Sequence, residues 1–307
     1  MDFILYKNDG VRLREVSSEG DHGLRLLKNF SKKPVPCLCG KKNSIMIARK
    51  DRYAIPSDFK LCKSCGLVRI DPYYKNEDLE IIYEQLYRNI KDKTETQTFN
   101  YQIEKGKKIV KFLERRKILN EISTVLEIGT GAGGILFVFK ERGLDVCGVD
   151  FDPRYIEYGR TKGLNLVVGD GIAFLNKQYA KKFNLIILNH VIEHVKDPRK
   201  MIIDILASMP ENCYLYVAFP GLLKFANEES SNRLSKCFAF VHPWWFDLNS
   251  FFVNILNGLQ VNVVYADEGI RLLLKKSNET FNWKNKSRYK RIIINFLYLK
   301  LREKIFQ

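Results

Sequence analysis

The sequence lacks the long apolar segment of a membrane-spanning helix, since it has no run of about 18 uncharged apolar residues. It also lacks an N-terminal basic region followed by an apolar stretch and a cleavage pattern, which argues against secretion. Internal repeats and low-complexity tracts are absent as well. We therefore expect a cytoplasmic protein, in which the seven cysteines are reduced, metal-bound or buried rather than paired in disulfides.

Acidic residues are scarce beside basic ones, since 35 Asp and Glu oppose 51 Lys and Arg and leave a net charge of +16. A basic protein favours acidic partners such as nucleic acid, nucleotide phosphates or an anionic membrane surface. Much of the excess lies after Leu274, where ten basic residues stand against Glu279 and Glu303. Within this tail, residues 289–307 alternate basic and apolar side chains. We expect them to pack on their own domain, and docking on a second subunit or on an anionic membrane stays open.

The most informative stretch is residues 125–134, VLEIGTGAGG, in which a short apolar run leads into four glycines. With the apolar residues 135–139 it predicts a buried strand, a tight turn and the start of a helix. Such a turn lets a ligand approach the backbone, and the helix N-terminus offers N–H groups to an anion. Glu127 falls at the carboxyl end of the strand, where a buried carboxylate needs a polar partner. A ligand ammonium group is one such partner, and water in a packed turn is the alternative.

After this stretch, strand and helix patterns alternate, as they do in a parallel α/β sheet. The predicted strands are residues 144–149, 164–168, 183–188, 213–219, 259–266 and 270–274. A short Asp-Glu-Gly turn separates the last two strands, which predicts an antiparallel hairpin. Because ligands bind beyond the carboxyl ends of such strands, the polar residues found there are candidate ligand contacts.

Three further strand ends carry such residues. Asp150 follows the glycine turn at about the spacing of a carboxylate that binds both ribose hydroxyls of a nucleotide. Asp170, two strands away from the glycine turn, could accept a hydrogen bond from the amino group of an adenine, and Ile172 could pack against the adenine ring. The alternative is that Asp170 caps a helix. Asn189 follows the strand at 183–188.

Two close cysteine pairs precede the glycine-rich stretch: Cys37 with Cys39, and Cys62 with Cys65. A glycine follows the second cysteine of each pair, which suits the tight turns of small zinc sites. Four thiolates complete a tetrahedron around Zn²⁺ and leave no open position, so a metal here is predicted to be structural. The first pair is one residue closer than the usual C-x-x-C spacing, and ordinary reduced cysteines are the alternative.

Together, the glycine-rich stretch, Asp150, residues 169–170 and residues 189–198, NHVIEHVKDP, resemble a class I S-adenosylmethionine-dependent methyltransferase. The last segment is similar to the H-V-x-E-H-V-x-D-P segment of the ubiquinone-biosynthesis type. The resemblance covers about residues 100–275. The cysteine pairs and the residues after them resemble the zinc-binding N-terminal part of sugar methyltransferases.

This resemblance implies an α/β fold: a Rossmann-like seven-stranded methyltransferase sheet with a reversed hairpin at one edge, preceded by a small Cys-rich, zinc-ribbon-like module. We expect an N-terminal module with a structural zinc site at 1–95, the methyltransferase domain at 96–275 and a basic amphipathic tail at 276–307. The implied cofactor is S-adenosylmethionine.

The same resemblance implies roles for the strand-end residues. Glu127 would face the methionine amine of the cofactor, and Asp150 would bind its ribose hydroxyls. Asp170 and Ile172 would contact the adenine, and Asn189 would lie beside the methyl-bearing end. The glycines that would pack on the methionine and ribose are Gly129, Gly131 and Gly133.

Three histidines are the candidate general bases: His190, His194 and His242. If residues 190–194 are helical, the first two share a face, and a purely local role in holding this loop is the alternative. His242 lies in FVHPWWF, where sugar C-methyltransferases carry a Tyr-x-Glu-His segment ahead of an aromatic residue. Val241 stands where that glutamate would be, so no carboxylate is evident to orient the imidazole. We therefore favour an oxygen acceptor, with His242 as its base.

The sequence thus predicts a methyltransferase that acts on a small molecule or glycan, by O-methylation of a sugar, nucleotide-sugar or lipid-linked saccharide in polysaccharide biosynthesis. An RNA-directed methyltransferase would explain the charge, although the chain has no Asn-Pro-Pro-Tyr base-flipping loop and no RNA-binding signature. An NAD-dependent oxidoreductase would use the literal G-x-G-x-x-G match at Gly129, Gly131 and Gly134. A sugar C-methyltransferase and a non-catalytic partner subunit are further alternatives.

Overall fold

The computed structural model describes residue 27 and residues 30–52, 55–82, 94–176, 183–211, 213–223, 238–287, 289–290 and 292–294. The first 26 residues and most of the predicted tail segment 289–307 lie outside this described part. The described residues form a two-stranded, a four-stranded and a seven-stranded sheet.

The N-terminal region contributes to two small antiparallel sheets and ends in a short helix. Its elements are β1 (Lys32–Lys33), β2 (Ser44–Lys50), β3 (Pro56–Cys62), β4 (Val68–Ile70), β5 (Tyr73–Tyr74) and α1 (Asn76–Ile82). Strand β3 pairs with β2 on one side and β4 on the other, while β1 pairs with β5. Phe59 and Leu61 alternate with less buried residues along β3, so the strand turns one face into the core of this module.

The next region alternates helices and strands, as predicted. Its elements are α2 (Glu95–Glu114), β6 (Thr124–Ile128), α3 (Gly134–Lys140), β7 (Asp145–Asp150), α4 (Pro153–Thr161), β8 (Leu166–Val168), α5 (Gly171–Phe174), β9 (Leu185–Asn189), α6 (Pro198–Ser208), β10 (Tyr214–Ala218), β11 (Trp244–Trp245), α7 (Leu248–Phe251), β12 (Gln260–Ala266) and β13 (Arg271–Thr280). A 3₁₀ turn at Leu119–Glu121 precedes β6, and a π-helical turn at Phe252–Leu256 follows α7.

Seven strands form the large sheet in the order β12-β13-β10-β9-β6-β7-β8. The five strands from β10 to β8 are parallel, and β13 is antiparallel to both β10 and β12. The predicted Rossmann-like seven-stranded sheet with a reversed hairpin at one edge is therefore confirmed. The strand order reverses between β6 and β9, which is where open α/β sheets bind ligands.

Helices cover the large sheet, and its central strands are correspondingly apolar. Residues Leu185–Leu188 of β9 are all buried, as expected for a parallel strand covered on both faces. Helix α2 approaches α3 closely at Gly106, where a Cβ would lie 2.9 Å from the Ile135 carbonyl oxygen. This close approach brings α2 against the start of α3 and the turn before it.

Some element boundaries differ from the sequence prediction. The polar stretch 91–98, predicted as a linker, is described from Thr94 onward and becomes helical at Glu95, because Thr94 and Gln97 form a capping box. Strand β13 continues beyond residue 274, because β12 pairs with it as far as Thr280. Residues 190–194 form turns rather than a helix, so the histidines there do not share a helix face.

The second half of the chain contributes a strand to the N-terminal sheet. Strand β11 pairs antiparallel with β4, which places Trp244 opposite Arg69 and Trp245 opposite Val68. Both tryptophans are buried. The Trp244 indole also donates a hydrogen bond of 2.9 Å to the Val195 carbonyl, in the loop after β9. The N-terminal module therefore lies against that loop.

The structure describes five residues of the predicted tail segment 289–307. Residues 289–290 and 292–294 are helical, and Ile292 is buried in the core of the N-terminal module. In the ranges of the chain described above, no helix combines the length and apolarity needed to cross a membrane.

Candidate active site

The turn after β6 bends the backbone around the end of β7. The N–H groups of Gly129 and Thr130 both donate to the Val149 carbonyl, at 2.8 and 3.1 Å. Gly129 has a φ of +73°, and a Cβ there would lie 2.5 Å from a methyl carbon of Val191. Because only glycine adopts this conformation in this space without strain, the turn depends on the glycine that the sequence provides.

The Glu127 carboxyl is buried beneath this turn, with 1% of the residue exposed. Burial raises the pKa of Glu127 well above its ordinary value, and the nearby charge of Asp150 adds to this increase. The Thr130 hydroxyl donates a hydrogen bond of 2.9 Å to Glu127 Oε2, and this bond lowers the pKa of Glu127. A cationic ligand group would therefore stabilise the ionised form of this carboxyl.

Asp150 lies at the end of β7, beside the same turn. Its Oδ2 accepts a hydrogen bond from the Gly131 N–H at 2.8 Å, and its Oδ1 accepts one from the Asp152 N–H at 2.9 Å. Two backbone donors thus hold the carboxylate at the edge of the turn. Since β6 and β7 are parallel neighbours, Asp150 and Glu127 lie at adjacent strand ends. Gly133, with a φ of +82°, closes the turn at the start of α3.

The other predicted cofactor contacts follow neighbouring strands of the same sheet. Asp170 caps α5, with Oδ1 accepting from the Ala173 N–H at 2.7 Å, so the alternative role predicted for it is present. Ile172 is partly buried against the main core. Asn189 ends β9, between β6 and β10. Parallel strands bring these residues to one edge of the sheet, and their cofactor roles stay predictions.

A histidine–glutamate pair lies in the loop after β9. His190 has a φ of +59°, which is uncommon outside glycine, and its Nδ1 lies 3.0 Å from Glu193 Oε1. The Glu193 side chain is 2% exposed, whereas the His190 side chain is 41% exposed. A buried carboxylate therefore fixes one ring nitrogen of an accessible imidazole.

The other two candidate bases lie next to the same glutamate. The rings of His194 and His242 pack edge to face, with centroids 4.3 Å apart and an interplanar angle of 88°. One ligand-type atom from each of Glu193, His194 and His242 lies within 4.8 Å of the other two. The sequence shows no carboxylate beside His242, but the fold brings Glu193 there from a distant segment.

A cleft of about 480 Å³ opens between the N-terminal module and the loop after β9. Aromatic and basic side chains line it together with His194: Tyr73, Tyr74, Trp244, Lys33, Lys75 and Lys196. Burial raises the pKa of the Tyr74 hydroxyl to about 12, so this group stays protonated at neutral pH. The cleft therefore lies between the N-terminal module and the histidine cluster, by which we mean Glu193, His194 and His242.

The two predicted cysteine pairs converge in the N-terminal module. The Cys37 sulfur lies 3.4 Å from that of Cys39 and 3.6 Å from that of Cys65. The sulfurs of Cys39 and Cys62 are 3.7 Å apart. Tetrahedral Zn–S bonds of about 2.3 Å place sulfurs about 3.8 Å from one another. The donor set and its spacing thus fit a four-thiolate zinc site.

Residues 98–252, which are half of the chain, match a family described as a methyltransferase domain. The chain belongs to this methyltransferase family. It is accordingly an enzyme that transfers methyl groups, with S-adenosylmethionine as donor, and this decides against the oxidoreductase alternative. No curated protein matches this methyltransferase.

Several solved structures are similar to part of the methyltransferase. The PH0226 protein from Pyrococcus horikoshii OT3 is 15% identical over 56% of this chain and 91% of its own, with a TM-score of 0.41. An O-methyltransferase family protein from Burkholderia thailandensis is 12% identical over 60% of each chain, with a TM-score of 0.42. The plantazolicin methyltransferase BamL, in complex with SAH, is 13% identical over 61% of this chain and 71% of its own, with a TM-score of 0.38.

Gln102 contacts the glycine turn, and the sequence pattern did not single it out. Its side chain reaches the glycine turn from α2: Nε2 donates to the Thr130 carbonyl at 2.9 Å, and Oε1 accepts from the Gly134 N–H at 3.1 Å. It therefore holds the turn at both ends. The sequence does hint at this role, because Gln102 lies between Phe99 and Gly106 on the buried face of the helix.

Proposed function

We propose that this methyltransferase transfers the methyl group of S-adenosylmethionine to a hydroxyl oxygen of a saccharide: a sugar, a nucleotide-sugar or a lipid-linked saccharide of polysaccharide biosynthesis. The observation that supports this most is the His190 imidazole, fixed by buried Glu193 in the loop that borders the aromatic cleft. A sugar ring has apolar C–H faces and polar edges, which suits a cleft that combines aromatic faces with hydrogen-bonding groups.

The reaction is an in-line displacement. The acceptor oxygen bonds to the methyl carbon while the bond from that carbon to sulfur breaks, and its electron pair returns to sulfur. The hydroxyl proton passes to the second ring nitrogen of His190, because Glu193 holds the first. Alignment of the reactants can supply about 7–11 kcal/mol, and a general base about 10²–10⁴-fold in rate.

The choice among the three histidines follows from their exposure. The sequence favours His242 as the base, but only 7% of that residue is exposed. His190 is far more accessible and has its own carboxylate partner. We therefore assign the base role to His190 within this proposal.

We further propose that the four cysteines hold a structural Zn²⁺: Cys37, Cys39, Cys62 and Cys65. The turn that carries the second pair is tied to the segment after β13, since the Asn285 amide and the Ser287 hydroxyl donate to its carbonyls at 2.7 and 2.9 Å. Leu38, between the first two cysteines, lines the cleft. A metal at this cluster would therefore fix one wall of the acceptor site.

Mass spectrometry of candidate acceptors tests the proposed function. The protein is incubated with S-adenosylmethionine and a panel of nucleotide-sugars, free sugars and lipid-linked saccharides. We expect a gain of one methylene on a saccharide, with NMR placing the methyl group on oxygen. His190→Gln should lower kcat by about 10²–10⁴-fold and leave S-adenosylhomocysteine binding intact. Methylated RNA in place of a saccharide product, or methylation at carbon, would contradict the proposal.

A further inference from the structure

Beside the cleft, two histidines and a glutamate meet in a cluster that the proposed reaction does not fully use. One ligand atom of each of Glu193, His194 and His242 lies within 4.8 Å of the other two. For three atoms no farther apart than this, a point exists within about 2.8 Å of all three. A shift of at most about 0.6–0.8 Å in each side chain would reach the metal–nitrogen and metal–oxygen bond lengths of about 2.0–2.2 Å. The geometry points to a divalent cation bound by these three residues, separate from the cysteine cluster.

The glutamate gives an independent argument for a cation. Glu193 is buried, and its Oε1 lies 3.0 Å from His190 Nδ1. Its Oε2 is also buried but has no hydrogen-bond partner among the residues that the structure describes. A buried carboxylate oxygen without a partner is destabilising, and a bound cation would remove that destabilisation.

The donor set selects the class of metal. Two imidazoles with one carboxylate suit first-row ions such as Zn²⁺, Fe²⁺ or Co²⁺, whereas Mg²⁺ and Ca²⁺ prefer sites made of oxygen atoms. Three protein ligands also leave coordination positions open, unlike the four thiolates of the cysteine cluster.

The position of the cluster suggests what the open positions are for. His194 lines the cleft, so a cation bound to it would lie beside the space assigned to the acceptor. A hydroxyl bound to such a cation loses its proton more readily, which would assist its attack on the methyl group. This assistance rests on the proposed function, but the binding of the cation does not.

Cobalt titration of the full chain separates the two metal sites. After removal of metals by a chelator, the protein is titrated with Co²⁺ and followed by absorption spectroscopy. Co²⁺ on thiolates gives sulfur-to-metal charge-transfer bands in the near ultraviolet, and Co²⁺ on imidazole and carboxylate gives only weak visible bands. We expect one equivalent without the thiolate signature. Glu193→Gln and His242→Gln should weaken its binding by about 100-fold or more.

Asp197→Asn is the matched control. Asp197 lines the same cleft but caps α6 and is not part of the cluster, and asparagine is an equally good cap. This variant should bind the non-thiolate equivalent as the wild type does. His194→Gln, at the least buried of the three ligands, provides the test if the other variants do not fold.

Two results would overturn the site. One is a wild-type protein that binds no Co²⁺ beyond a thiolate-bound equivalent. The other is a non-thiolate equivalent that persists unchanged in every folded variant of Glu193, His194 and His242. Either result means that the two imidazole rings only pack against each other. Neither bears on saccharide methylation, which is measured by product mass without added metal.

Discussion

The predicted cofactor side of the site centres on the turn after β6 and the end of β7, whereas the proposed acceptor side gathers side chains from three separate segments. On the cofactor side, backbone N–H groups fix the carboxylate of Asp150 directly. The acceptor cleft takes Tyr73 and Tyr74 from the N-terminal module, His194 from the loop after β9 and Trp244 from β11.

This difference separates the part of the site predicted to hold the methyl donor from the part proposed to hold the acceptor. The predicted cofactor contacts lie at one edge of the large sheet, and Gln102 of α2 holds the glycine turn there. The proposed acceptor side also depends on how the N-terminal module packs against that sheet. Changes in one side should therefore leave the other largely intact, and four experiments test this separation.

The largest effect is expected from Cys65→Ser, which removes one of the four thiolates proposed to bind zinc. Folding energies from structural zinc reach about 10–16 kcal/mol in zinc-finger peptides, so the module should lose its fixed structure. Saccharide methylation should be abolished while calorimetry still detects S-adenosylhomocysteine binding. Cys213→Ala, at a buried cysteine away from the cluster, is the control for zinc content. Loss of cofactor binding together with activity would show that the two sides are one unit.

The next effect is expected from Asp150→Asn on the cofactor side. Asp150 is the predicted charged hydrogen-bond partner of the ribose, and its loss should cost about 1.5–3 kcal/mol, or about 10- to 150-fold in S-adenosylhomocysteine affinity. Asp145→Asn is the matched control, since Asp145 is exposed at the opposite end of the same strand. Cobalt binding at the histidine cluster should not change. Equal affinities for the two variants would remove Asp150 from the cofactor site.

A smaller effect is expected from Gln102→Ala, which leaves the Thr130 carbonyl and the Gly134 N–H without their side-chain partner. Two neutral hydrogen bonds contribute about 1–3 kcal/mol, which should appear as a lower Tm and weaker S-adenosylhomocysteine binding. Glu104→Ala, at an exposed position of the same helix, should change neither. If Gln102→Ala instead weakens saccharide binding alone, α2 belongs to the acceptor side.

The smallest effect is a proton released when the cofactor binds. The pKa of Glu127 is raised in the free protein, and a ligand ammonium group would lower it again, so binding should release up to about one proton. Calorimetry in two buffers with different ionisation enthalpies measures this number. Glu127→Gln should abolish the release, while Asp145→Asn should keep it. An unchanged proton count in Glu127→Gln would place the ammonium group elsewhere.

The same pKa fixes the sign of a stability effect. Because the folded pKa of Glu127 lies above its ordinary value of 4.5, the folded state holds a proton that the unfolded state has already lost. The stability of the free protein should therefore fall as pH rises from about 4.5 towards the folded pKa. Denaturant titrations at several pH values should show a flatter profile for Glu127→Gln.

The two sides also differ in how much the sequence could predict. Glu127 and Asp150 directly follow apolar runs, and the ends of parallel strands meet at one edge, so strand prediction alone brings them together. Gln102 was missed because contact between α2 and the turn depends on helix packing at Gly106, which no local pattern records. The contact between Glu193 and His242 could not be predicted either, because it depends on how β11 joins the N-terminal sheet.

The two-residue strand β11 has a consequence for exchanging parts between related enzymes. Trp244 and Trp245 complete a sheet whose other strands all come from the first quarter of the chain. A chain cut before them would leave β4 with an unpaired edge, which invites association with other molecules. Transplanting the N-terminal module onto another catalytic domain would therefore require carrying this tryptophan pair along as well.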